Sequence, residues 1–107
     1  MMLSPVRNSL NQITTKKQEI DMAVKAIKFY ATWCGPCKIY GKAWDKVANE
    51  LKEEVEFVDV DIDKDTTGLA AEYKVTSVPH TVIIKDGNTI QETGRLNVAD
   101  LKNLILN

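Results

Sequence analysis

The sequence predicts an α/β domain in which a mixed β-sheet carries helices on both faces. Three observations point there. Residues 24–31 and 55–62 are apolar runs of strand length rich in β-branched and aromatic side chains. Between them Ile39, Tyr40, Ala43, Trp44, Val47, Ala48 and Leu51 recur at helical spacing, so strand, helix and strand form a βαβ unit with parallel strands. Further on, residues 81–85 and 88–93 flank Asp86-Gly87, a strong hairpin turn signal that adds an antiparallel pair.

In chain order, residues 1–9 contain Pro5 and no periodicity, and read as a loose leader to a domain spanning 10–107. Residues 10–13 are a candidate short edge strand, and Thr15 with Gln18 has the capping-box spacing that starts a short helix through about residue 22. Strand 24–31 is apolar at both parities, as a strand covered on both faces would be, which leaves Lys28 out of place. Pro36 suits the first turn of the long helix, which runs to about residue 53. In strand 55–62, Val58, Val60 and Ile62 share one face and Val55, Phe57, Asp59 and Asp61 the other. Residues 67–73 predict a short helix that buries Leu69, Ala70 and Tyr73. Asn97 or Val98 starts the last helix, striped by Leu101, Leu104 and Ile105. The order is β-α-β-α-β-α-β-β-α.

A chain of 107 residues has room for one hydrophobic core, and 44% hydrophobic with 27% charged residues is an ordinary globular composition. A net charge of -1 lacks the basic footprint of a nucleic-acid binder, and the same balance gives no attraction to a membrane surface. Neither a transmembrane stretch nor a signal-peptide h-region is present in the sequence, so the expected location is cytoplasmic.

Both cysteines lie in Trp33-Cys34-Gly35-Pro36-Cys37-Lys38. In a reducing compartment a C-x-x-C near a βαβ pattern points to redox chemistry. Zinc needs four ligands, and two cysteines with one histidine, His80, fall short, so no metal or cofactor is expected. A permanent structural bridge across two residues would close too small a loop to restrict the unfolded chain much. A disulfide is attacked by the thiolate alone, so the attacking thiol needs exposure and a lowered pKa. Cys34 stands just before the helix that Pro36 opens, where unpaired N–H groups and the positive end of the dipole favour an anion.

The motif preceded by Phe29-Tyr30-Ala31-Thr32, the pair Val78-Pro79, and the hairpin with Lys85-Asp86-Gly87 together resemble thioredoxin over roughly residues 10–106. The resemblance implies the thioredoxin fold: a central mixed five-strand sheet in the order 10–13, 55–62, 24–31, 81–85, 88–93, with four flanking helices. It also implies a protein-disulfide oxidoreductase in which Cys34 attacks a substrate disulfide and Cys37 resolves the mixed disulfide. By the same carry-over Pro79 is cis with Val78 presenting backbone to an extended substrate segment. Trp33, Gly35, Pro36, Ile62, Thr93 and Gly94 then complete a shallow docking rim. Implied partners are disulfide-containing proteins and an NADPH-linked thioredoxin reductase, and the chain is expected to act as a monomer.

Three departures bear on the chemistry. The family usually places a buried aspartate six residues before the first cysteine, where this chain has Lys28, and a lysine facing it, where this chain has Asp59. Acid and base have exchanged places, and one reading keeps a partly buried ion pair with Asp59, or a transiently neutral Lys28, as proton acceptor for Cys37. The alternative is that both side chains snorkel to solvent. His80 replaces the usual threonine after the proline and is a candidate for tuning the Cys34 pKa, against a plain structural role. Gly41-Lys42 stands where the family has a helix-kinking proline, which predicts a straighter helix or one that bends at Gly41. Two other functions remain: a glutathione-linked redoxin, for which Gly35-Pro36 is a poor match, and a non-catalytic assembly module that grips partners with the rim around Trp33.

Overall fold

Strand β1 (Val24–Tyr30) alternates its side chains between two cores. Ala26 enters one cluster with Tyr40, Trp44, Val47, Val55, Ile83, Leu101 and Ile105, while Ile27 and Phe29 enter the other with Val60 and Val82. A strand with buried side chains of both parities has neighbours on both faces, and this explains why the segment reads as continuously apolar.

The computed structural model describes residues 24–107. After β1 come α1 (Gly35–Leu51), β2 (Val55–Asp61), α2 (Leu69–Glu72), β3 (His80–Lys85), β4 (Asn88–Thr93) and α3 (Val98–Leu106). The sheet order is β2-β1-β3-β4, with β1 and β2 parallel and the other pairs antiparallel. This is the expected order with four strands among the described residues. The leader, the fifth strand at 10–13 and the helix begun by Thr15 lie outside the described residues.

Helix α1 buries Tyr40, Trp44 and Val47 along one stripe, each side chain worth about 2 kcal/mol of apolar burial. Trp44 meets the Phe57 ring edge to face at 5.3 Å, fixing α1 against β2. No proline interrupts α1 after its first turn, and it runs unbroken past Gly41. The β3–β4 turn places Asp86 at φ 52° and Gly87 at φ 81°, the left-handed pair of a tight hairpin turn that Asp-Gly adopts readily. Asn97 caps α3 by accepting the Asp100 N–H at 2.7 Å, and Leu101 and Ile105 are buried behind it. Helix α2 is shorter than the 67–73 expected. Asp65 accepts N–H groups from Thr67 and Ala70 at 2.8 and 3.0 Å, so its carboxylate organises residues 67 and 68 as a turn leading into the helix.

Candidate active site

Cys34 is the N-cap of α1, with extended backbone at φ −88° and ψ 112°. That geometry turns Sγ back over the helix, where it accepts the Cys37 N–H at 3.1 Å. Cys37 lies one turn on, the two Cα atoms are 5.2 Å apart, and the sulfurs form a disulfide. No acidic residue occupies the first turn of α1, so nothing there opposes negative charge on Sγ. The pair is less exposed than the sequence led us to expect. Cys34 is 4% and Cys37 5% accessible, since they form a buried cluster with Ala31 against which Tyr30, Ile62 and Val78 pack. Cys34 Sγ lies 3.8 Å from the Val78 carbonyl.

The other rim residues gather at the same end of the sheet. Trp33 is 68% exposed, and its indole N–H donates to Asp63 Oδ2 at 2.8 Å. Asp63 carried no motif signal and was missed in the sequence; its own N–H donates to Asp61 Oδ1 at 3.0 Å. Gly35 and Pro36 are exposed on the first turn of α1. The Val78-Pro79 bond is cis. The Pro79 carbonyl accepts the Gly94 N–H at 2.8 Å, and Gly94 sits at φ 101°, a conformation that favours glycine. Thr93 and Gly94 are thereby drawn beside Pro79, while Ile62 and Val78 pack against the cluster of Ala31, Cys34 and Cys37.

Below the disulfide, on the face covered by α1, Lys28 and Asp59 are direct partners in the parallel register of β1 and β2. Lys28 Nζ is 3.7 Å from Asp59 Oδ2, yet the side chains are 8% and 47% exposed, so the base is buried and the acid reaches water. Trp44 donates its indole N–H to Asp59 Oδ1 at 2.8 Å. The Lys28 ammonium also lies 5.2 Å from the Tyr30 ring centroid and 5.6 Å from that of Trp44, within cation–π range. A cavity of about 320 Å³ is lined by Lys28, Thr32, Cys37 and Gly41 among others, and it links the ammonium to the second cysteine. A β-carbon at Gly41 would stand 3.9 Å from Lys28 Nζ, in ordinary contact. One turn deeper, Tyr40 and Thr81 share a hydroxyl hydrogen bond of 2.6 Å. Burial pushes the Tyr40 phenol up to about 12, against a smaller opposing effect of the Thr81 hydrogen bond.

His80 does not join this group. It belongs to the opposite face of the sheet, where its ring packs on Phe29 with centroids 6.1 Å apart. Nδ1 is 3.0 Å from Thr93 Oγ1 and Nε2 2.8 Å from Gln91 Oε1, so both nitrogens are committed to β4. Through these two contacts the buried imidazole ties β3 to β4, the structural alternative weighed for it in the sequence.

Among the described residues, no cluster of three or more His, Cys, Asp or Glu side chains is arranged to hold a metal ion, and no helix is long and apolar enough to cross a membrane.

The thioredoxin family model matches residues 8–107. Thioredoxin of Mycoplasmoides gallisepticum is 35% identical over 97 residues, covering 85% of this chain and 95% of that protein. Fasciola hepatica thioredoxin superposes with a TM-score of 0.69 at 33% identity, covering 90% of each chain. The oxidised form of mitochondrial thioredoxin 3 from Saccharomyces cerevisiae gives a TM-score of 0.68 at 34% identity, covering 88% of each. With a paired Cys34 and Cys37 at the head of α1 and this likeness along nearly its whole length, the chain belongs to the thioredoxin family of thiol–disulfide oxidoreductases.

Proposed function

We propose that the chain is a dithiol electron carrier that reduces protein disulfides, with Cys34 as nucleophile and Cys37 as resolving thiol. The observation that carries this assignment of roles is the Cys34 Sγ at the N-cap, accepting the Cys37 N–H at 3.1 Å. In the reduced protein that N–H and the helix dipole stabilise a Cys34 thiolate. The thiolate attacks one sulfur of the substrate disulfide and expels the other as a thiolate. Cys37 then loses its proton and attacks Cys34, expelling the second substrate thiolate and closing the Cys34–Cys37 disulfide. Two electrons have passed to the substrate, and a reductase returns them. Tethering Cys37 one helical turn away makes the second attack intramolecular.

The proton from Cys37 passes into the cavity it shares with Lys28. Water there carries it toward the Lys28–Asp59 pair, with Asp59, or Lys28 when transiently neutral, as acceptor. Trp33, Gly35, Pro36, Ile62, Val78, Pro79, Thr93 and Gly94 form the docking rim for an extended substrate segment. The reductase is NADPH-linked, the carrier is monomeric, and it works in a reducing cytoplasm.

The test supplies the pure protein with a disulfide substrate and either NADPH with thioredoxin reductase or glutathione. Turnover is expected with the reductase, and Cys34→Ser brings it down to the uncatalysed rate. Turnover with glutathione alone would overturn the reading. Biological function retained by Cys34→Ser would favour an assembly module instead.

A further inference from the structure

We infer that a basic groove beside the disulfide selects substrates with acidic residues a few positions from their reactive cysteine. The inference rests on the disulfide-reductase reading and names the class of protein that reading serves best. The groove runs between α1 and the segment that joins β4 to α3, with Ile39, Lys42 and Lys46 along one wall and Arg95, Leu96 and Asp100 along the other. Both walls start a few residues along the chain from the redox centre. The α1 wall starts two residues after Cys37, and the other starts at the residue after Gly94, whose N–H is held by the Pro79 carbonyl.

The lining fits a particular occupant. Lys42, Lys46 and Arg95 outnumber the one carboxylate, Asp100, and among the described residues none of the three cations forms a salt bridge. Beyond them the positive stripe ends at Glu50, which pairs with Lys102. Between the cations the lining is apolar: Ala43, Leu96 and Val98 line it, and Ile39 is 56% exposed at its edge. An anionic segment carrying an apolar residue matches this pattern in both charge and surface. From Ile39 to Lys46 the helix rises roughly 10 Å, the span of about three extended residues. A substrate strand that leaves Val78 and continues along this groove would bring acidic residues a few positions from its disulfide alongside Lys42, Lys46 and Arg95.

The groove also separates two steps that the rim alone would merge. Apolar contacts around Trp33 and Val78 accept many sequences, whereas fixed charges outside the reacting atoms act on encounter and orientation. The preference therefore belongs in the rate of capture, kcat/KM at low ionic strength, and not in the chemical step.

The test uses two fluorescent disulfide peptides, identical except for an Asp-rich or an Asn-rich flank, with the intact protein and with Lys42→Glu/Lys46→Glu/Arg95→Glu. At low salt the native chain is expected to favour the acidic peptide about tenfold in kcat/KM. That preference should vanish near 0.5 M salt, where screening is nearly complete over a few ångströms. In the triple variant the preference reverses, while the Asn-rich peptide is reduced at its native rate, which also shows the variant is folded. Equal rates on the two peptides with the native chain, or a preference that survives charge reversal, would overturn the groove. If the native chain reduces neither peptide, the failure lies in the redox reading beneath it.

Discussion

On the sheet face beneath α1, β1 contributes Ala26 and Lys28 and β3 contributes Thr81 and Ile83, whereas on the opposite face the same strands contribute Ile27, Phe29, His80 and Val82. Each face contains polar groups in an apolar setting, but they are satisfied differently. Under α1 the network crosses from sheet to helix: Lys28 to Asp59, Asp59 to Trp44, Thr81 to Tyr40. On the far face His80 is satisfied within the sheet by two side chains of β4. Polar groups wired to α1 can affect the cysteines at its head, while a polar group closed within the sheet chiefly holds strands together.

The largest effect expected from this contrast is at Asp59. Asp59→Ala removes the acceptor of the Trp44 indole and leaves the buried Lys28 ammonium without its carboxylate, at about 2 kcal/mol by denaturant melting. The 47% exposure of Asp59 keeps that below the loss for a fully buried pair. Adding Lys28→Leu should recover most of the stability lost through the unpaired ammonium. Equal losses in the single and double variants would mean that the two side chains act independently.

A smaller effect is expected at Tyr40. Tyr40→Phe leaves the buried Thr81 hydroxyl without its partner and costs about 1 kcal/mol at neutral pH. Its signature is alkaline. The folded phenol holds its proton up to about 12 while the unfolded one releases it near 10.0, so stability present below 10.0 is lost as pH rises toward 12. The Phe variant should lack that part of the decline, and an unchanged alkaline profile would remove Tyr40 from the account.

The least effect belongs to His80. His80→Thr gives up two hydrogen bonds to side chains that water can serve, worth about 1 kcal/mol or less, and thiol titration of Cys34 should match the parent. A shifted Cys34 titration would break the division between faces.

Much of this arrangement was legible in the residues. The alternation in 55–62 assigned Val58, Val60 and Ile62 to one core and Val55 and Phe57 to the other, because strand periodicity is a property of the chain itself. Asp-Gly announced its turn for the same local reason. What escaped were contacts between distant segments. The hold of Asp63 on Trp33, the Trp44 donation to Asp59 and the Gln91 contact of His80 each join residues that no local pattern relates. Nor could composition tell that Lys28 is the buried member of its pair. A lysine stem reaches solvent from many positions, and only the packing of Tyr30 and Trp44 around the ammonium keeps this one inside.

The direct register of Lys28 opposite Asp59 also limits how the domain can change. Relative to the acid-then-base order usual in the family, the two positions are inverted. Exchanging lysine for aspartate, or the reverse, at one position alone would set two like charges facing each other across adjacent strands, a repulsive arrangement. A chimera that takes β1 from this chain and β2 from a conventional relative would place two cations side by side beneath its disulfide, and a graft of either strand has to carry the other with it.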